Sequence, residues 1–377
     1  MTTGTMSSPR RGVGRFRARD LSAPWRHVDV TMLVVVGLIV VVGSAMVYSA
    51  TRRLNGASGY MLRQGLFVVL GVGLMAVVSL IDYRRIADWW QILYGASIVL
   101  LVGVMTPLGA VVNGSRGWYR FGPFSMQPAE FAKLASIIAV AAYLGSSEEV
   151  DLRRLAGALG LLAVPAGMVL LQPDLGSALV FIVIALGMLV VAGVRMRHLV
   201  VLVVLGVVAV SAILTSGTLD QYQKDRLTSF VTPNGQSYNV DQAQKAIGSG
   251  GLTGYGFTKG PQTRGGYVPE QETDFIFTVA GEELGFIGAG GLVVMLGILV
   301  WRIWRNAQLA ADQLGTLICV GIMSMFLFHI FENIGMTLGI MPVTGIPLPF
   351  VSYGGSSLLT SFTAVGLVQS VHMHRYA

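Results

Sequence analysis

Three acidic side chains, Glu270, Glu272 and Asp274, fall within five positions of the run Pro269-Glu270-Gln271-Glu272-Thr273-Asp274-Phe275-Ile276-Phe277. Carboxylates this close can couple, and a neighbour's charge raises a carboxyl pKa toward the range a general base needs. Glu270, four residues before Asp274, is the expected coupling partner. Asp274 also stands where an apolar helix should begin, so a capping acid is the competing reading. A helix N-terminus lowers such a pKa and partial membrane burial raises it, and the sequence leaves that balance open. Upstream lie Ala246–Leu252, Gly254-Tyr255-Gly256-Phe257 and Arg264-Gly265-Gly266-Tyr267, glycine-rich backbone able to approach a ligand closely.

Other polar groups interrupt apolar stretches. Charged side chains inside a membrane span cost at least ~2.5–3.5 kcal/mol on insertion scales, so each needs a partner or a function. Glu130 and Lys133 are spaced i,i+3 and share a helix face. They fit a structural ion pair as well as a paired site lining a cavity, with Lys133 offered to an anion. Asp174, in Gln172-Pro173-Asp174, reads as an N-cap. Gln-Pro nevertheless precedes an acid at both Glu130 and Asp174, and two such helix starts facing one another would suit an anionic headgroup. Arg116, Trp118 and Arg120 read either as interfacial belt residues or as an edge that grips phosphate and stacks on sugar. His329 and Glu332 are also i,i+3, and hydrogen bonding between helices is the favoured reading over metal ligation. Three prolines and several glycines in Met341–Ser357 predict a rigid non-helical turn.

These residues need a scaffold, and composition defines it. The 377-residue chain is 53% hydrophobic and 12% charged, with mean hydropathy +0.67, where a soluble chain carries about 25% charged residues. An all-α, polytopic membrane protein follows. Ten spans are expected near 28–49, 62–81, 90–109, 128–145, 155–171, 174–193, 198–215, 274–301, 314–340 and 356–372. A basic tail (1–27) precedes this domain (28–372), a polar loop (215–273) interrupts it, and a short tail (373–377) follows. Gly281-Glu282-Glu283-Leu284-Gly285 interrupts span eight, so either one long helix holds two glutamates at the outer interface or, the favoured reading, a half-helix precedes the true span.

With the N-terminus inside, inner segments hold fifteen Lys and Arg residues against five in the short outer loops. Both termini are therefore expected in the cytoplasm and the long loop outside. The net charge of +7 is scattered over loops and is no nucleic-acid footprint. Cys319 is the only cysteine, which excludes an intramolecular disulfide and a cysteine metal site. The first apolar run has span length and no A-x-A-like exit, so no cleavable signal peptide is expected.

The motifs Gln127–Lys133, Gln172–Gly176, Ala246–Leu252, Pro269–Phe277, Gly281–Gly285 and Pro342–Ser357 occur in that order. Together they resemble the SEDS proteins (shape, elongation, division and sporulation), the RodA/FtsW group, across roughly residues 28–372. Two departures are Ala129, where serine is commoner, and Gly117, where many members carry a second arginine. The resemblance implies a peptidoglycan glycosyltransferase of the bacterial cytoplasmic membrane. It would polymerise lipid II, the undecaprenyl-pyrophosphoryl disaccharide-pentapeptide, on the outer face with a class B penicillin-binding protein. It implies Asp274 as the catalytic residue, matches Arg116, Trp118, Glu130, Lys133 and Asp174 to the family's site, and leaves Glu270 a supporting role. Lys259 and Ser352, from the glycine-rich loop and the proline-rich turn, complete the expected substrate-binding set with them. Arg116, Lys133 or a divalent cation (Mg or Mn) would stabilise the leaving pyrophosphate. The alternatives are a flippase for the same precursor, a non-catalytic scaffold, or the division branch in place of the elongation branch that the short terminal extensions favour.

Overall fold

The structure, a computed structural model, describes residues 27–54, 57–112, 115–122, 124–146, 150–215 and 238–376. The expected basic tail and the first part of the long loop, with Lys224 and Arg226, lie outside the described residues. Ten apolar helices stand where the ten spans are expected: α1 (Val30–Thr51), α2 (Ala57–Leu80), α4 (Trp90–Met105), α5 (Pro128–Gly145), α6 (Leu152–Leu171), α7 (Leu175–Val191), α8 (Met196–Thr215), α11 (Ile276–Gln308), α12 (Gln313–Thr337) and α13 (Gly355–Met373). Short helices α3 (Tyr83–Asp88), α9 (Tyr238–Ser249) and α10 (Pro261–Gly265) lie in the connections. Six of the ten are long and apolar enough to cross a membrane. In lipid only a helix or a closed barrel satisfies its own backbone, which is why uninterrupted apolar sequence becomes helix here.

Aspartates start many of these helices. The side chains of Asp29, Asp151, Asp174 and Asp312 accept from the backbone N–H of Met32, Arg154, Ser177 and Gly315 at 3.0, 2.9, 2.9 and 2.8 Å. Each satisfies an N–H that the first turn leaves without a partner. Proline marks the start of α5, at Pro128. Another proline ends α4 four residues before the expected limit of that span. Thr106 precedes Pro107 and adopts ψ 178, outside the helical region.

The apolar residues beyond Pro107 instead form part of a small antiparallel sheet between the two spans. Its strands are β1 (Ala110–Val112), β2 (Ser115–Phe121) and β3 (Phe124–Met126), in the order β1-β2-β3. Ala110 pairs with Trp118, and Tyr119 with Met126. In span eight, Gly285 takes φ 67 and ψ −168, so α11 is a half-helix followed by a long span, as its glycine and glutamates predict.

Burial sorts the helices. Along α2, Leu62, Val69 and Val77 are exposed, the outward apolar face of a helix in lipid. By contrast α13 is nearly wholly enclosed, and it carries Ser356, Thr360, Ser361, Gln369 and Ser370 inside the protein. Polar side chains are tolerated at that depth because protein, not lipid, surrounds them.

Consecutive spans run in opposite directions, so the ends of α1, α6 and α12 share one side with the starts of α2, α5, α7, α11 and α13. The other side is tied by Arg302 Nη2 to Asp29 Oδ2 at 2.8 Å, by Asn306 Nδ2 donating to Asp29 at 3.0 Å, and by Ser370 Oγ donating to the Ile81 carbonyl at 2.6 Å.

Candidate active site

Every residue singled out for chemistry lies on the first of these sides. Asp274 is half-buried two residues before α11, and its backbone N–H donates to the Glu270 carbonyl at 3.1 Å. Two contacts fix its place. Asn333 Nδ2, near the end of α12, donates to the carbonyl oxygens of both Asp274 and Ile346, each at 2.8 Å. The Tyr353 N–H donates to the Glu272 carbonyl at 2.8 Å. The acidic run is thereby pinned to the proline-rich turn between α12 and α13. Gly345 of that turn faces the Asp274 carboxylate, whose Oδ2 would be 3.3 Å from a β-carbon placed there.

Glu270 is exposed and adopts a left-handed backbone, φ 49, which an L side chain rarely takes. Such outliers persist where surrounding structure fixes them, and they cluster at functional sites. Burial pushes the Glu272 carboxyl up, the charge of Glu270 adds to that, and Arg53 opposes it. Arg63 donates to the Tyr353 hydroxyl, and Tyr60 packs on the Tyr353 ring with centroids 5.1 Å apart.

Beneath this edge lies the buried pair. Lys133 Nζ donates to Glu130 Oε1 at 2.7 Å and meets His329 Nε2 at 3.2 Å. Glu332, on the same helix as His329, accepts from the Thr344 hydroxyl at 2.8 Å. Asp174 is both the cap of α7 and the partner of Gln127, whose Nε2 donates to its Oδ2 at 3.0 Å. The two Gln-Pro helix starts therefore do meet, through a direct hydrogen bond between the glutamine of one and the acid of the other.

The β-sheet abuts this corner, where the Ser115 hydroxyl donates to the Gln172 carbonyl. Side chains alternate along β2. Gly117 and Tyr119 face the bundle, with the Tyr119 hydroxyl donating to the Leu100 carbonyl at 3.0 Å. Arg116, Trp118 and Arg120 share the other face, with both arginines exposed.

Lys259 is exposed on the glycine-rich loop. Ser352 is turned inward: it is 4% exposed, and its Oγ accepts from the Leu348 N–H at 2.8 Å, closing the proline-rich turn. Among the described residues no three His, Cys, Asp or Glu side chains gather as metal ligands, so the expected Mg or Mn ion has no all-protein cage.

Glu282 and Glu283, which sequence alone marks only as an interruption of span eight, are fully buried. Glu282 accepts from the N–H of Gln262 and Thr263 and from the Thr263 hydroxyl, at 2.6, 2.9 and 2.7 Å, and so anchors the start of α10. Glu283 accepts from Ser49 of α1 and from the Thr258 N–H. Backbone completes the joint. Tyr255 and Gly256 donate to the carbonyls of Glu282 and Glu283, while Phe286 and Ile287 donate to those of Gly251 and Leu252. The kink at Gly285 frees these groups, and a β-carbon at Gly254 would collide with the Glu283 carbonyl. Asn333 was missed as well. The available signal was an asparagine in an apolar span, one turn after a histidine.

A multi-pass membrane fold that gathers a half-buried aspartate, a buried ammonium and an arginine-bearing edge on one side has the make-up of a membrane enzyme. Residues 26–377 match the family model FTSW_RODA_SPOVE, described as "Cell cycle protein". The chain belongs to this family. It is 37% identical to stage V sporulation protein E of Bacillus subtilis, over 91% of this chain and 96% of that protein. It is 35% identical to peptidoglycan glycosyltransferase MrdB of Escherichia coli, over 93% and 94%. Among solved structures, rod shape determining protein RodA of Thermus thermophilus matches with TM-score 0.73 and 32% identity, over 94% of this chain and 99% of that one. A chain from a study of a peptidoglycan synthase complex, concerned with the coordination of polymerization and crosslinking, matches with TM-score 0.78 and 32% identity, over 93% and 98%.

Proposed function

We infer that this chain is a peptidoglycan glycosyltransferase of the cytoplasmic membrane that joins lipid-linked disaccharide units into glycan strands. Relatives carrying that activity in their names align along more than nine-tenths of its length. The observation that carries the mechanism is the placement of Asp274, clamped through its carbonyl by Asn333 and set against Gly345.

In the proposed step, an Asp274 oxygen takes the proton from the acceptor GlcNAc 4-hydroxyl. The hydroxyl oxygen forms a bond to the donor MurNAc anomeric carbon. The bond from that carbon to phosphate breaks, and undecaprenyl pyrophosphate leaves with the electron pair. Arg116, on the exposed face of β2, and Lys133 supply positive charge toward the pyrophosphate, the preorganised stabilisation that contributes most to such transfers. Two of the three N–H donors of Lys133 are engaged by Glu130 and His329. Trp118 offers a ring face for a sugar, and Asp174 and Glu130 orient the donors around them. Lys259 and Glu270 flank the acceptor side from the loop. A divalent cation would add positive charge for the leaving pyrophosphate, and because no cluster of three ligating side chains among the described residues would hold it, it would keep few protein ligands.

The charge bias of the loops supports placing this side outside the cell. The similarity to a chain from a synthase complex supports a class B penicillin-binding protein as partner. Similarity to rod-shape proteins supports the elongation branch, and sidewall rather than septal localisation of a fluorescent fusion is the expected result. The central test is polymerisation of externally supplied lipid II by purified protein. Wild type should form glycan strands. Asp274→Ala should form none while eluting and melting as wild type does, and strand formation by that variant overturns the assignment.

A further inference from the structure

His329 lies in α12 at 3% exposure, beneath the edge that carries Asp274. Its Nε2 is 3.2 Å from Lys133 Nζ. An ammonium has donors only, so Nε2 must accept and carries no proton. The ring proton therefore sits on Nδ1, and the ring donates to the Pro347 carbonyl of the proline-rich turn. The imidazole is thus held as one neutral tautomer with both nitrogens engaged. Around it stand Lys133 and Glu130 from α5, Pro347 from the turn, and Glu332 on its own helix.

The contact at Pro347 matters because of its neighbours. Two residues earlier Gly345 faces the Asp274 carboxylate, and one residue earlier Ile346 shares Asn333 with the Asp274 carbonyl. His329 and Asn333 are spaced i,i+4 and present one face of α12. That face grips the lysine of α5, the proline-rich turn and the Asp274 segment together.

We propose that His329 is a positioning residue that holds the Lys133 ammonium in register with Asp274. The imidazole transfers no proton and is not expected to touch substrate. It fixes where the cation stands relative to the base by bonding the cation on one side and the turn that abuts the base on the other. This inference rests on the polymerase reading of Asp274 and Lys133, and its test is arranged so that the two can fail separately.

Two variants and a spectrum supply that test. Glutamine can accept from Lys133 through its oxygen and donate to Pro347 through its nitrogen, whereas leucine can do neither. His329→Leu should lower kcat for lipid II polymerisation by about 100-fold, the scale of a misplacement of about 1 Å. His329→Gln should restore kcat to within about threefold of wild type. KM for His329→Gln should be unchanged, and so should its pH profile between pH 5 and 8. Independently of activity, nitrogen NMR of protein labelled at its five histidines should show one resonance pair of a neutral ring protonated at Nδ1, missing in His329→Gln. Wild type that forms no polymer defeats the polymerase reading and leaves the spectrum to judge the tautomer. Equal loss in both variants, wild-type activity in His329→Leu, a shifted limb of the pH profile in His329→Gln, or a proton on Nε2 overturns the proposal. Where His329→Leu does not fold, His329→Gln and the spectrum still decide it.

Discussion

The carboxylate of Asp274 and the backbone of Gly345 stand so close that Oδ2 would be 3.3 Å from a β-carbon on the glycine. Gly345 also holds φ +76, a left-handed conformation that an L side chain enters only at a cost of roughly 1–2 kcal/mol. Two independent constraints thus act at one position. Gly345→Ala is expected to keep the fold and lower polymerisation by about tenfold or more, because the new methyl presses on the base and the turn shifts to relieve its strain. Initial rates on lipid II, set beside a melting curve, check this. A variant as active as wild type would show that the turn does not define the place of Asp274.

Glu130 and Lys133 make the second relationship that mutation can separate. Both are nearly inaccessible, with side-chain exposures of 4% and 1%, and their charged atoms are 2.7 Å apart. Removing one partner of a buried pair leaves an uncompensated charge and costs about 3–5 kcal/mol, whereas replacing both can be close to neutral. Glu130→Ala should therefore melt well below wild type, and Glu130→Leu with Lys133→Met should recover much of that loss. Polymerisation should stay absent in the double variant, because the ammonium is gone. Recovery of activity along with stability would make the pair purely structural.

The half-helix break in α11 supports a third prediction. Glu282 holds the start of α10 through three hydrogen bonds from Gln262 and Thr263. Glu282→Ala leaves those donors buried without an acceptor, at about 1–3 kcal/mol for each group left unsatisfied. Amide exchange in residues 255–268 should quicken at least tenfold, with protection in α5 and α12 unchanged. Uniform quickening over all helices would mean that Glu282 supports the whole fold instead of the loop.

How much of this was legible beforehand divides along physical lines. The spans could be read because an apolar run in lipid has one backbone solution, and the break at Gly285 because glycine beside two glutamates cannot continue an apolar helix. The motif residues could be read by type: the Gln127 and Asp174 corner follows from two Gln-Pro-acid starts, and the hydrogen bond joining them is the fulfilment of that pattern. The sheet at Ser115–Phe121 could not, because its strands are three to seven residues long and its pairing depends on the corner they pack against. The same holds for Ser352, whose hydroxyl looked available until the turn folded back on Leu348. The hydrogen bonding between helices expected of His329 is met by Lys133. Asn333 acts only through elements distant in sequence, so its role is set by tertiary contact and leaves little local trace.

At the opposite end of the bundle, Asp312 joins α3 to α12 and supports a pH prediction. Its carboxylate accepts from the Gly315 N–H, from Arg84 Nε and from the Tyr83 hydroxyl, each at 2.8 Å. Burial pushes its pKa up, but the donors from Gly315, Arg84 and Tyr83 outweigh burial and hold it below 3.8. A carboxyl depressed in the folded state adds stability above its unfolded pKa, and that stability is lost as pH falls through the folded pKa. Asp312→Asn removes the charge at every pH. The side chain is about a third exposed, so solvent screening limits the expected cost to about 1 kcal/mol at pH 7. In detergent, the variant should melt below wild type from pH 7 down to pH 5. The gap should then close as the pH is lowered toward 3, because wild type protonates Asp312 and loses the same interactions. A gap that stays constant to pH 3 would assign the whole effect to helix capping, and one that widens would contradict the direction of the shift.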